Sequence, residues 1–196
     1  MKQVTKNAPV GQIALICFGG NENSILGKPS ETIQKSMILA SRLSLGPAKT
    51  SPLYATPAYP PGAGPDFVNA AMAIVTTLSP VALMAELHRI EAEAERQRTR
   101  RWGQRTLDLD LIAFGDLICP DVATQTRWRD LSPAAQEVET PDQLILPHPR
   151  VQDRSFALVP LADVAADWRH PVLGLTIREM LEARPIAERD SVVRLS

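Results

Sequence analysis

Asp108 and Asp110 stand two residues apart in Leu107-Asp108-Leu109-Asp110-Leu111-Ile112, just after Arg96, Arg98, Arg100, Arg101 and Arg105. Strand side chains alternate between faces, so the two acids share one face while Leu107, Leu109 and Leu111 point to the other. Neighbouring carboxylates repel, which disfavours that arrangement unless a cation or a proton lies between them. Mg²⁺ prefers oxygen ligands and commonly takes one or two carboxylates plus substrate phosphates. Arginines grip phosphate in a bidentate way. Together the acids and the cationic run point to a magnesium-bound polyphosphate.

Each half alone has a plainer reading. Alternating acids suit a solvent-facing strand, and cations suit a helix C-terminus, where Glu91, Glu93 and Glu95 can pair with them. Arg96 and Arg100 fit either reading, whereas Arg98, Arg101 and Arg105 are the stronger phosphate candidates. Trp102-Gly103 reads either as a hinge whose indole closes over a ligand or as simple packing.

Three further features could bind a substrate. The loop from Thr56 and Pro57 through Ala58-Tyr59-Pro60-Pro61-Gly62 to Pro65 is longer than a hairpin needs, as a binding loop or a rigid proline connector would be. Phe67 and Asn69 then fall on one strand face, an aromatic platform beside an amide that both donates and accepts, which suits a flat heterocycle. His148 lies between Pro147 and Pro149 in an extended backbone, as a surface residue, an acid or a phosphate donor.

The elements that must carry these residues follow from pattern. Val10 to Phe18 reads as a buried strand ending in a turn at Gly19-Gly20-Asn21. Ser30 is the expected N-cap of a helix with the stripe Ile33, Met37, Ala40 and Leu43/Leu45, stopped at Gly46-Pro47. Strands are expected near Lys49 to Ala55 and Val68 to Leu78. Ser79-Pro80 then caps a helix whose apolar face is Val81, Leu83, Met84, Leu87 and Ile90. The acidic strand closes a βαββαβ order, an α+β, ferredoxin-like plan with two helices on one face of an antiparallel sheet.

Residues 120–142 have little periodicity and read as a long surface insertion with a short helix near Pro133 to Val138. Leu144 to Leu146 is a candidate edge strand. Helices are expected from Ser155 to Ala165 and from Ile177 to Ala183, before a charged tail. Residues 1–9 read as a flexible tail and 10–196 as a single domain.

The chain has 196 residues, 44% hydrophobic and 22% charged, with a net charge of -1, the balance of an ordinary globular domain rather than a general nucleic-acid binder. No apolar run approaches the ~20 residues that span a bilayer, and no signal core follows Lys2 and Lys6. Cys17 and Cys119 lie in apolar settings and read as buried, inert thiols in a reducing cytoplasm.

The run Arg-x-Gly-x-Arg-x-x-Asp-Leu-Asp-Leu-Ile resembles the signature of the 6-hydroxymethyl-7,8-dihydropterin pyrophosphokinase family. The similarity extends to Gly-Gly-Asn, the Tyr-x-Thr-Pro loop, Asp66-Phe67-Val68-Asn69-Ala70-Ala71, Arg89-Ile90-Glu91, Pro147-His148 and Arg154-Ser155-Phe156. The resemblance implies ATP-dependent pyrophosphoryl transfer to a pterin alcohol, releasing AMP, in folate biosynthesis. It implies two Mg²⁺ ions on Asp108 and Asp110, with Arg96 and Arg101 also in catalysis. ATP would meet Glu91, Arg98, Arg101, Arg105, Leu111, His148 and Arg154. The pterin would lie between Phe67 and Phe156, read by Thr56, Pro57, Tyr59 and Asn69, with Trp102 in a lid.

Several positions depart from the family pattern. Gly20 replaces a usual serine and Gln104 a usual proline, either of which can loosen a loop. Ala58-Tyr59, His88, Glu95 and Pro149 are also atypical. Two other readings are an RNA-binding module, which needs exposed aromatics and a basic face, and an inactive regulatory homologue. The expected partners are the two small substrates, without nucleic acid or membrane, for a monomer or weak dimer.

Overall fold

The computed structural model describes residues 11–58, 64–94 and 105–196. The sequence-based tail at 1–9 lies outside them. The centre of the molecule is β1 (Gln12–Gly20), which pairs antiparallel with both β4 (Phe67–Thr76) and β5 (Asp108–Phe114). The sheet order is β5-β1-β4-β3-β6, where β3 is Tyr54–Thr56 and β6 is Val193–Arg194, and β2 (Lys49–Thr50) also pairs with β4.

β2 and β3 run along β4 as one interrupted strand. Between them, Ser51 exchanges two bonds with Ala71: its N–H donates to the carbonyl and its Oγ accepts from the amide. With α1 (Pro29–Ser41) and α2 (Pro80–Glu93), this is the ferredoxin-like βαββαβ arrangement expected from the sequence. The ferredoxin-like order follows because each helix has one apolar stripe to bury and the central strands β1 and β4 are apolar on both faces.

Both faces of the sheet are covered. Ala14, Ile16 and Phe18 of β1 join Ala70, Met72 and Ile74 of β4 beneath Ile33, Met37 and Ala40 of α1 and Leu83, Leu87 and Ile90 of α2. On the other face, Leu15, Ala71 and Ala73 meet Leu158, Leu161 and Val164 of α5 (Ser155–Ala165) and Ile177 and Met180 of α6 (Ile177–Glu182). In β5 the register shifts opposite Leu15 and Ile16, so Ile112 and Ala113 both reach this second core.

Several expectations need correction. β1 continues through Gly19 and Gly20, which pair with Asn69 and Val68 instead of forming a turn. Helix α1 begins two residues early: Lys28 is the N-cap, Pro29 is the first helical residue, and Glu31 Oε2 accepts from the Lys28 amide at 3.0 Å. Val81 is 72% exposed, so it leaves the stripe of α2, although Ser79 does cap that helix by accepting from Ala82.

The insertion also holds more structure than its pattern shows. Helix α3 (Val122–Arg129) is capped by Asp121, which accepts from the Thr124 amide, and it buries Trp128 and Gln125. Helix α4 (Pro133–Val138) falls where expected. Leu146 forms one isolated bridge with Cys119 instead of an edge strand. The charged tail contains α7 (Ile186–Asp190) and then β6, which pairs with β3.

His170, in the turn between α5 and α6, is fully buried and its Nδ1 accepts from the amides of Val172 and Leu173. Burial, with help from the Arg129 charge, pushes its pKa down to about 4. Because the folded value lies below the ordinary one near 6.5, the unfolded chain binds the extra proton first as pH falls. Stability contributed by neutral His170 is therefore complete above pH 6.5 and is lost progressively toward pH 4. The slope is about 1.4 kcal/mol per pH unit for one such group. His170→Asn keeps an acceptor and cannot titrate, so urea unfolding should show a shallower acid loss than wild type. Parallel pH curves for the two proteins would contradict this assignment.

Candidate active site

The strand register assembles the site. Asp108 lies opposite Gly19, Gly19 opposite Asn69, and Asn69 opposite Tyr54. One step along, Asp110 lies opposite Cys17 and Cys17 opposite Ala71, while Phe67 lies opposite Thr56. Directly paired residues project to the same face, so both acids share a face with Thr56, Phe67 and Asn69. With strands about 4.8 Å apart, the backbones of Asp108 and Asn69 are separated by roughly 10 Å.

Gly19 occupies that gap. A Cβ there would come within 3.1 Å of Asn69 Oδ1, so the missing side chain leaves the floor between acids and amide open. Asn69 Nδ2 donates a short hydrogen bond to Thr56 Oγ1, which fixes the amide plane. Pro57 follows, exposed at the end of β3, and Tyr54 ties β3 to α5 through a 2.7 Å bond from its hydroxyl to Asp163.

The acid wall is met by cations from two directions. Arg105 pairs closely with Asp108, and Arg154 Nη1 lies 3.8 Å from Asp110. The repulsion between the two acids is thus offset by guanidinium groups on either side. Arg154 also stands over the Phe156 ring, 5.6 Å from its centroid, so one side chain touches both the acid wall and the aromatic of α5. Phe156 is 41% exposed, so its ring stays open to solvent beside the acid wall.

Glu91 of α2 is buried and accepts from the Leu109 amide at 2.8 Å. Leu109 sits between the acids, so this bond ties helix α2 to the outer edge of β5. Leu111 lies in the core under α1 and α2, on the face opposite the acids, and its side chain is not brought to the site. Tyr59, Arg96, Arg98, Arg101 and Trp102 lie outside the described residues.

His148 joins from the far end of the insertion. Its amide donates to Ile112 of β5 at 2.8 Å, and its Nδ1 accepts from the Arg150 amide at 3.2 Å. Burial first, then the charges of Arg154 and Arg150, push its pKa down to about 3, against the opposing pull of Asp108. The ring therefore stays neutral with its proton on Nε2, a hydrogen-bond donor and not a proton-donating acid. The insertion supports this segment: Gln125 donates to the Pro147 carbonyl and Arg150 to the Gln136 carbonyl.

Cys17 and Cys119 are both free and half-buried, less covered than the buried thiols expected. Burial and the neighbouring Asp110 raise the Cys17 pKa well above the ordinary thiol value, and it adds no charge to the site. Among the described residues no three His, Cys, Asp or Glu side chains cluster to hold a metal alone. Two partly exposed carboxylates on one face fit a magnesium ion that draws its remaining oxygens from phosphate.

Sequence reasoning missed Gly19 as the floor, Gly20 as a close-packing position and Tyr54 as the tie to α5. A Cβ at Gly20 would meet the Thr106 carbonyl oxygen at 2.7 Å, so this glycine lets the chain before β5 close on β1 and does not loosen it. The signal was the Gly-Gly pair itself, because glycine permits close backbone approach as well as turns.

Residues 15–166 match the 7,8-dihydro-6-hydroxymethylpterin-pyrophosphokinase (HPPK) family. A 2-amino-4-hydroxy-6-hydroxymethyldihydropteridine pyrophosphokinase of Pseudomonas aeruginosa is 36% identical over 175 residues, covering 89% of this chain and 93% of that protein. One of the same name from Synechocystis is 34% identical over 169 residues, covering 86% and 74%. A crystal structure of wild-type Plasmodium falciparum HPPK-DHPS superposes with a TM-score of 0.63 at 14% identity, covering 98% of this chain. The chain spans 49% of that longer protein, which is a likeness of fold. By its match over residues 15–166 and its similarity to these relatives, the chain belongs to the 7,8-dihydro-6-hydroxymethylpterin-pyrophosphokinase family.

Proposed function

We propose that this chain carries out the reaction of its family on the sheet face shared by Asp108, Asp110, Phe67 and Asn69. That reaction transfers pyrophosphate from ATP to the hydroxymethyl group of 6-hydroxymethyl-7,8-dihydropterin and releases AMP, a step of folate biosynthesis. The observation that carries the reading is the register, which puts the acid pair on one side of Gly19 and the amide and aromatic of Asn69 and Phe67 on the other.

Asp108 and Asp110 are the residues that would hold Mg²⁺, two ions by family resemblance, which when bound neutralise the polyphosphate and acidify the attacking hydroxyl. Arg105 and Arg154 exchange part of their pairing with the acids for contact with ATP oxygens. His148 donates to phosphate through Nε2–H. Glu91 supports β5 from below, Leu111 offers backbone alone, and Arg98 adds charge. Arg96 and Arg101 neutralise the charge that develops as the bond to the leaving group breaks.

On the other side, Phe67 and Phe156 stack on the pterin while Asn69, Thr56, Pro57 and Tyr59 read its edge. The substrate hydroxyl oxygen forms a bond to the β-phosphorus as the bond from that phosphorus to the α–β bridging oxygen breaks. AMP departs with the bridging oxygen and its electron pair, and the hydroxyl proton leaves to solvent. The chain works as a monomer or weak dimer in the cytoplasm on these small substrates, without nucleic acid. ATP labelled with heavy oxygen at the α–β bridge should deliver the label to AMP. Label in released pyrophosphate or in ADP would place attack at the α- or the γ-phosphorus and overturn the mechanism.

A further inference from the structure

Asn21 follows β1 directly and is 5% exposed. Its side-chain amide makes two long-range bonds from its two ends. Oδ1 accepts from the Arg105 amide at 2.9 Å, and Nδ2 donates to the Pro65 carbonyl at 3.0 Å. Its backbone N–H donates to the Arg105 carbonyl at 2.9 Å, and the Glu22 N–H donates to the same oxygen at 3.1 Å. The amide orientation is fixed by its partners, because a backbone N–H can only donate and a carbonyl can only accept.

The two segments held in this way are the ones that lead into the site. Pro65 stands two residues before Phe67, the first residue of β4, and Arg105 stands three before Asp108, the first residue of β5. Gly20 adds to the same junction, since only the absence of its Cβ lets Thr106 come so near β1. A hydroxyl is too short to bridge both segments, a carboxylate cannot donate to Pro65, and an ammonium cannot accept from Arg105. The amide is suited to this position because it has a donor and an acceptor at opposite ends.

We propose that Asn21 is a positioning residue that sets the distance and register between the pterin platform on β4 and the acid pair on β5. Its influence passes through Pro65 to Phe67 and Asn69, and through Arg105 to Asp108. The two arms are separable. In Asn21→Asp the carboxylate still accepts from Arg105 but faces the Pro65 carbonyl with no proton to give. In Asn21→Ala both arms are lost.

The inference rests on the assignment of pterin to β4 and of metal-bound ATP to β5. The experiment measures pterin binding by its own fluorescence in the presence of a non-hydrolysable magnesium-nucleotide analogue, together with kcat and the KM for ATP. Asn21→Asp should weaken pterin binding roughly tenfold, the factor carried by one buried hydrogen bond, with kcat and the KM for ATP near wild type. Asn21→Ala should weaken pterin binding by as much and also lower kcat roughly tenfold, because the Arg105 amide that leads into Asp108 loses its acceptor as well. Unchanged pterin binding in Asn21→Asp, or equal proportional losses in every parameter of both variants, would overturn the proposal. Wild-type protein that forms no AMP in the same assay would instead overturn the functional assignment beneath it.

Discussion

Asp110→Ala is expected to abolish measurable AMP formation while leaving the protein folded. Asp110 is partly exposed and its ion pair with Arg154 is long, at 3.8 Å, so removing it should cost no more than about 1 kcal/mol of stability. Catalysis should fall at least roughly 10³-fold, since half of the proposed metal-binding pair is gone. Thermal unfolding and steady-state AMP formation measured on one preparation separate the two effects. A variant that unfolds at the same temperature and keeps more than a tenth of wild-type turnover would remove Asp110 from the mechanism.

Arg154→Ala should be the next most damaging change, lowering kcat/KM roughly 100-fold, the scale expected when one cation that stabilises phosphate charge is removed. The side chain lies near Asp110 and also stands over Phe156, so its loss reaches both substrates. Arg154→Lys divides these roles. Lysine keeps the positive charge but lacks the planar guanidinium that lies over the ring. The KM for ATP should therefore recover in Arg154→Lys while the KM for the pterin stays raised. Full recovery of both would show that charge alone matters and that the contact with Phe156 is incidental.

The core of the fold was legible because its signals are local. Alternation marked Asp108 and Asp110 against Leu107, Leu109 and Leu111, and Ser79-Pro80 marked the start of α2. These patterns depend only on strand and helix periodicity and on cap chemistry. Features set by tertiary approach were not legible. Gly19-Gly20 looked like a turn, yet both residues lie in a central strand, where a Cβ would crowd Asn69 Oδ1 at Gly19 and collide with the Thr106 carbonyl at Gly20. Helix α3 escaped notice because it buries a tryptophan and a glutamine and shows no apolar stripe.

The site divides in the same way. The acids, the arginines, His148 and the pair Phe67 and Asn69 could be picked out by residue type and spacing, and the family resemblance added Phe156 and Arg154. The neutral state of His148 could not be read in advance, since it follows from burial against β5 and from two arginines that the fold brings near. Leu111 differs: strand alternation already turned its side chain away from the acids, and the structure places it in the opposite core. The bridging role of Asn21 depends on three segments meeting, and nothing in Gly-Gly-Asn alone announces it.

The central claim is that one sheet face joins a magnesium-bound ATP to a pterin alcohol. Mass-detected conversion of ATP and 6-hydroxymethyl-7,8-dihydropterin, run with magnesium and again after its removal by chelation, tests it most directly. The prediction is equimolar AMP and pterin diphosphate with magnesium, and neither product without it. No AMP under either condition, or AMP formed equally well after chelation, would contradict the account.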